Sequence, residues 1–245
     1  MNFEFLKKLI VPANTKIVLL VMDGLGGLPV EHGGKTELEA AHTPNLDNLA
    51  ARSKLGLSSP AGAGIAVGSG PGHLALFGFD PIEYEIGRGA LEVLGVDFDL
   101  LPGDIAARGN FCTVDDHGII LDRRAGRLPT LDTQKLADLL DGVKIGDARV
   151  FVKPIKEHRF AFVMRGEGLG AKISDTDPQK TGIKPLKAIG ADAPSKKTAR
   201  LINEFIEHAG KALQGNSPAN MIMLRGFDKL PVIPKYPDLF GLNAA

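Results

Sequence analysis

Two short stretches of this chain carry residue types that could transfer a phosphoryl group. One is Gly68-Ser69-Gly70-Pro71-Gly72-His73; the other is Val21-Met22-Asp23-Gly24. A glycine-rich bend that runs into a helix surrounds its serine with backbone N–H groups and the positive end of the helix dipole. An alkoxide at Ser69, or a phosphate carried on its oxygen, would be stabilised there. A serine hydroxyl is a weak nucleophile at neutral pH, so a base or a metal ion must activate it. Asp23 follows Ile17-Val18-Leu19-Leu20-Val21-Met22, an apolar run without alternation that predicts a strand buried on both faces of a parallel sheet. Open α/β sheets place their ligands at the carboxyl ends of such strands. On local grounds alone a helix-capping serine and an Asp-Gly turn account for the same residues.

Neighbouring motifs exclude other chemistries. Gly24-Leu25-Gly26-Gly27-Leu28-Pro29 has proline where the third glycine of a dinucleotide fingerprint belongs. The stretch around Ser69 lacks the lysine of a phosphate-binding P-loop, and it is not a G-x-S-x-G nucleophile elbow. None of the six histidines pairs at H-x-x-x-H spacing, so no self-contained zinc or manganese motif is present. His73 stands one helical turn after Ser69 and is read as orienting the nucleophile loop, with a core histidine as the plain alternative.

Arginines dominate the second half: Arg108, Arg123, Arg124, Arg127, Arg159, Arg165 and Arg225. Guanidinium groups hold carboxylates and phosphates bidentately, which suits a small substrate bearing both. Arg123, Arg124 and Arg127 cluster on a loop before Pro129, Arg159 stands at a strand edge, and Arg165 and Arg225 each precede a glycine. For Asp175-Thr176-Asp177-Pro178 a simple Asx turn explains the composition at least as well as a binding role.

The elements that must position these residues change character near residue 108. Before it come the buried strand, a helix from Thr43-Pro44 towards Arg52, and the helix after Ser69. After it, shorter strands are predicted at 110–114, 119–122, 149–152 and 160–165, and a last buried one at 221–224. Helices are predicted at 133–140 and 196–213, the latter with Ala199, Ile202, Phe205, Ile206 and Ala209 on one face. The organisation expected is residues 1–108 as the first half of an α/β core, 109–226 as an inserted mixed α/β cap, and 227–245 as a connection leading back. Lysine plus arginine balances aspartate plus glutamate at 29 each, which leaves no basic field for nucleic acid or anionic membrane. The single Cys112 suits a reducing compartment, and no membrane span is legible.

Gly68-Ser69-Gly70-Pro71-Gly72-His73-Leu74-Ala75-Leu76-Phe77-Gly78-Phe79-Asp80-Pro81 resembles the nucleophile segment of archaeal-type cofactor-independent phosphoglycerate mutases, members of the alkaline phosphatase superfamily. Matching pieces follow in order along the whole chain, among them Thr43-Pro44-Asn45-Leu46-Asp47, Gly87-Arg88-Gly89-Ala90-Leu91-Glu92, Asp122-Arg123-Arg124-Ala125-Gly126-Arg127 and Leu224-Arg225-Gly226. The resemblance implies an alkaline-phosphatase-like, mostly parallel α/β core, present here as its N-terminal half, with the cap inserted. It implies a two-metal centre of Mn²⁺ or Mg²⁺ to which Asp23 and Ser69 contribute, and a phosphoserine at Ser69. It further implies phosphoglycerate held by the cap arginines, interconversion of 3- and 2-phosphoglycerate without 2,3-bisphosphoglycerate, and a cytoplasmic glycolytic enzyme that could form homo-oligomers. Family members run beyond Ala245, so the remaining metal ligands are expected in a C-terminal part of the core, and residues 1–245 alone are expected to be inactive. Another phosphatase or phosphomutase of the superfamily, or a non-catalytic substrate-binding fragment, remain the alternatives.

Overall fold

The computed structural model describes residues 3–22 and 24–243. The chain divides into two units, Gly64–Ile233 and Met1–Ala63 with Pro234–Ala245. The smaller holds short helices: α1 (Phe3–Lys7), α2 (Glu37–Ala40), α3 (Pro44–Ala51) and α8 (Tyr236–Phe240). A reciprocal capping box starts α2, with Glu39 N–H donating to Thr36 Oγ1 and Thr36 N–H to Glu39 Oε2. Pro44 opens α3 as predicted, but the Thr43 hydroxyl donates to Asp47 Oδ1 at 3.1 Å instead of capping the backbone.

The strand predicted over residues 17–22 does not form. Val18 is 88% exposed, and Val21 and Met22 are each 47% exposed. A strand buried on both faces takes its hydrogen bonds from strands on either side, and every described strand lies between residues 105 and 228. The fold is mixed α/β as expected, but the parallel arrangement expected for residues 1–108 is not seen among the described residues, whose sheet is antiparallel in all its pairings.

That sheet organises the larger unit. Its strands are β1 (Ile105–Val114), β2 (Ile120–Asp122), β3 (Lys144–Ile145), β4 (Ala148–Pro154), β5 (Arg159–Arg165) and β6 (Met221–Asp228), in the order β2-β1-β5-β4-β3 with β6 on the other side of β1. Helices α4 (Ser69–Leu76), α5 (Arg88–Leu94), α6 (Thr130–Leu140) and α7 (Ala193–Ala212) complete the unit. The strands predicted after residue 108 and both predicted helices are present. β1 starts five residues earlier than predicted, because Ala106 to Gly109 carry little intrinsic strand preference and are held by pairing with β5 and β6.

Alternation along the strands gives the sheet two different faces. One presents Ile105, Ala107, Phe111, Phe160, Phe162, Met164, Ile222 and Leu224 to α6 and α7, forming the main core. Phe111 stacks on Phe160 with ring centres 4.7 Å apart, and Phe162 meets Phe205 of α7 at 5.2 Å. Asp192 caps α7 by accepting from Ser195 N–H. Among the described residues no helix is long and apolar enough to cross a membrane.

The opposite face carries Ala106, Ala161 and Val163 beneath Ala90 and Val93 of α5. This contact is close because of Gly89. A Cβ there would stand 2.5 Å from Ala107 Cα and 2.6 Å from the carbonyl oxygens of Ala106 and Gly226. Those neighbours are backbone and cannot rotate away. Gly89→Ala is therefore expected to lift α5 from the sheet and to cost about 1–3 kcal/mol, read as a lower urea midpoint at unchanged m value. An unchanged midpoint would show that α5 is not seated against β1.

Candidate active site

Beyond α5, the same face of the sheet turns cationic. Arg108 on β1 lies directly opposite Arg225 on β6. On the other side of β1, Arg159 of β5 pairs with Asn110, two residues along from Arg108. Residues at even positions of β1 and odd positions of β5 and β6 share this face, so the three guanidinium groups start from neighbouring points. Burial lowers the pKa of Arg108; Glu92 pulls it up, while Arg159, Arg225 and Arg88 push it down. Arg108 keeps its charge nonetheless, as guanidinium groups do.

Glu92 of α5 is the counter-charge at Arg108, with Oε1 3.4 Å from Nε and both side chains about four-fifths buried. The Nε atoms of Arg108 and Arg159 and the Asn110 Oδ1 are buried without a hydrogen-bond partner. Buried polar groups are seldom left so unless a ligand or water satisfies them.

A cleft of about 630 Å³ joins this cluster to the start of α4. Gly68, Gly70 and Pro71 line it from the α4 end, Gly87, Arg88, Leu91 and Glu92 from α5, and Arg108 from the sheet. Ser69 is the first residue of α4, with Gly68 as its extended N-cap. The carboxylate of Asp228 accepts from Gly87 N–H and fixes the N-terminus of α5, placing Arg88 at the cleft. Gly226, in the left-handed region at φ 65°, accompanies a register shift between β1 and β6. β6 therefore continues past Arg225 instead of ending there.

Asp177 anchors the far side. Its carboxylate, 1% exposed, accepts from Arg123 Nε at 2.9 Å and Nη2 at 2.7 Å, and stands 3.7 Å from Arg225 Nη1. Burial alone would raise the Asp177 pKa. Hydrogen bonds from Arg123 and Gln179 N–H, with the charges of Arg123 and Arg225, outweigh it and hold the pKa below the ordinary value. Thr176 and Asp175 bind the backbone of Leu224 and Gly226. The segment 175–178 is thus a clamp on β6 and on Arg123, a role the Asx-turn reading did not contain.

The remaining sequence candidates lie in different settings. Arg165 shares the arginine face but is committed to Asp104, at 2.9 and 2.7 Å, and stacks over Phe151. Arg124 and Arg127 are exposed on the turn after β2, where Arg127 pairs with Glu157 at 3.2 Å. Both act on the buried His158, whose pKa falls to about 4 through burial first and then Arg159, despite the pull of Glu157. His73 lies on the exposed side of α4. Asp23 lies outside the described residues, and among those described no group of three His, Cys, Asp or Glu side chains is arranged to hold a metal ion. Arg88 was missed as a site residue. Its signal was available in Gly87-Arg88-Gly89, two glycines that let a helix begin hard against the sheet.

A family model described as 2,3-bisphosphoglycerate-independent phosphoglycerate mutase matches residues 50–220. The chain belongs to that family. It is 50% identical to a probable 2,3-bisphosphoglycerate-independent phosphoglycerate mutase of Thermus thermophilus, over 99% of this chain and 60% of that one. Among solved structures it resembles the cofactor-independent phosphoglycerate mutase of Thermoplasma acidophilum (TM-score 0.59, 36% identity, 69% of this chain and 48% of that one). It also resembles the PH0037 protein of Pyrococcus horikoshii (TM-score 0.67, 29% identity, 88% of this chain and 52% of that one). The chain spans about 60% of the length of the curated relatives it matches.

Removing the Asp177 carboxylate leaves Arg123 and Arg225 without their shared counter-charge. Asp177→Asn is expected to destabilise the protein by about 3–5 kcal/mol at pH 7, the scale for breaking a buried pair. The folded pKa is depressed, so the contribution is full above the unfolded value of about 3.9 and is lost as pH falls through the lower folded value. Denaturant melts of both proteins at pH 7 and pH 3 check this: the difference should be smaller at pH 3, and a difference undiminished there would contradict it.

Proposed function

We propose that this chain binds phosphoglycerate on the arginine face and carries the nucleophile of a cofactor-independent phosphoglycerate mutase. One observation supports this above the others. Arg88, Arg159 and Arg225 gather around Arg108, and Arg88 and Arg108 line the cleft that reaches the N-terminus of α4, where Ser69 begins the helix. A substrate with a carboxylate and a dianionic phosphate brings the charge that this face lacks.

In the proposed reaction the Ser69 oxygen forms a bond to phosphorus as the bond from phosphorus to the glycerate oxygen breaks. That oxygen takes up a proton, and the serine proton leaves to a base or to solvent. The second half-reaction runs in reverse towards the other glycerate hydroxyl, so no bisphosphorylated cofactor enters. The arginines hold the glycerate between the two steps, and the start of α4 stabilises the charge on the transferring group. Arg123 is assigned the task of fixing Asp177 and through it Arg225, and Arg165 that of fastening the sheet to Asp104. Arg124 and Arg127 are placed at the rim, beside His158, and His73 orients the α4 segment.

Divalent manganese or magnesium belongs to the proposal at a coarser level. Asp23 and Ser69 are the ligands this chain would offer, no metal-holding set is found among the described residues, and no step is derived through an ion. Cytoplasmic placement is part of the same reading, supported by the lone Cys112.

In the enzyme expressed from its own gene, Ser69→Ala is expected to lower interconversion of 3- and 2-phosphoglycerate by roughly a thousandfold or more. Arg108→Met should lower kcat/KM by about 30- to 1000-fold, the scale of one desolvated charge pair. Product analysis by NMR distinguishes mutase from phosphatase activity. Near-normal turnover in Ser69→Ala would overturn the nucleophile assignment, and release of inorganic phosphate alone would overturn the mutase.

A further inference from the structure

Of the described residues lining the cleft, Glu92 alone bears a negative charge. It belongs to α5, one turn from the helix start, and faces Arg108 across 3.4 Å. The contact is an ion pair without an aligned hydrogen bond, since Arg108 Nε remains without one. A carboxylate that served to orient a guanidinium would meet it side-on through Nε and Nη2, as Asp177 meets Arg123 and Asp104 meets Arg165, with contacts of 2.7–2.9 Å. Glu92 is the loose member of these three acid–arginine contacts. It stands where a ligand anion would stand, and its charge has the sign of that ligand.

We propose that Glu92 is an internal stand-in for the substrate anion and sets how tightly the arginine face holds a phosphoryl dianion. Without ligand it offsets part of the repulsion among Arg88, Arg108, Arg159 and Arg225. When a dianion arrives, Arg108 turns to the ligand with its unsatisfied Nε donor, and Glu92 then repels the bound charge. The residue therefore weakens binding, which keeps the site from retaining substrate and product alike. Uniform binding lowers KM without raising kcat, so a residue that loosens it raises KM.

This inference rests on the anion-binding reading of the cleft, and one titration separates the two. Inorganic phosphate is titrated by calorimetry into the protein, at fixed ionic strength so that screening is constant, for wild type, Arg108→Met, Glu92→Gln and Glu92→Asp. The expected results are measurable binding to wild type, loss in Arg108→Met, about tenfold tighter binding in Glu92→Gln, and a Glu92→Asp value within about threefold of wild type. Glu92→Met, which also removes the charge and suits a helix, repeats the test should Glu92→Gln fold poorly. In the mutase assay both neutral variants should lower KM. If wild type binds phosphate and the neutral variants bind it equally or more weakly, Glu92 is an ordinary positioning partner of Arg108 and the inference is overturned. If wild type and Arg108→Met bind alike or not at all, the cleft reading itself has failed.

Discussion

Arg108 and Arg225 stand directly opposite each other on adjacent strands of a covered sheet face. Like charges so placed destabilise a strand pair, by up to about 1 kcal/mol even where water screens them. Here burial removes part of that screening, and Arg159 and Arg88 add to the repulsion. Every other feature of the larger unit can be read as a way of holding these groups together despite that cost. The main core on the opposite face fixes β1, β5 and β6 in register. Asp177 and its loop clamp β6, and Glu92 offsets some of the charge from above.

The close seating of α5 explains how one short helix serves both the packing and the site. Its apolar residues Ala90 and Val93 cover the sheet where the sheet is apolar. The same helix carries Arg88 and Glu92 over the arginines. Gly89 sets the distance between helix and sheet, and Asp228 fixes the helix start. The positions of Arg88 and Glu92 relative to Arg108 thus follow from packing that is complete before any ligand binds, which is the form of preorganisation that makes electrostatic stabilisation effective.

Much of the larger unit was legible because its periodicities are local. The α7 face of Ala199, Ile202, Phe205 and Ala209, the alternating strand β4 and the continuous apolar run of β5 state their own burial pattern. The early start of β1 was not legible, since Ala106-Ala107-Arg108-Gly109 are strand only through their neighbours. Residues 17–22 show the converse: an apolar composition announces burial, but a strand exists only with partners to pair with. Within the site, arginine identity was legible and arginine role was not. Arg165 and Arg123 differ from Arg108 and Arg159 in having carboxylates from distant segments, 61 and 54 residues away, closed upon them. Such pairings are long-range, and no spacing rule reveals them. Arg88 was passed over because its significance comes from the glycines on either side, which record a close approach and not a chemistry.

The central claim is that the arginine face is electrostatically incomplete until an anion joins it. Thermal unfolding of wild type and Arg225→Met, in chloride and in phosphate at equal ionic strength, tests it most directly. Arg225→Met leaves the Arg123–Asp177 pair in place and removes the charge opposite Arg108. The account predicts that in chloride Arg225→Met is more stable than wild type by about 0.2–1 kcal/mol, and that phosphate raises the stability of wild type through mass action while leaving the variant little changed. A variant less stable than wild type in chloride, with an undiminished response to phosphate, would contradict it.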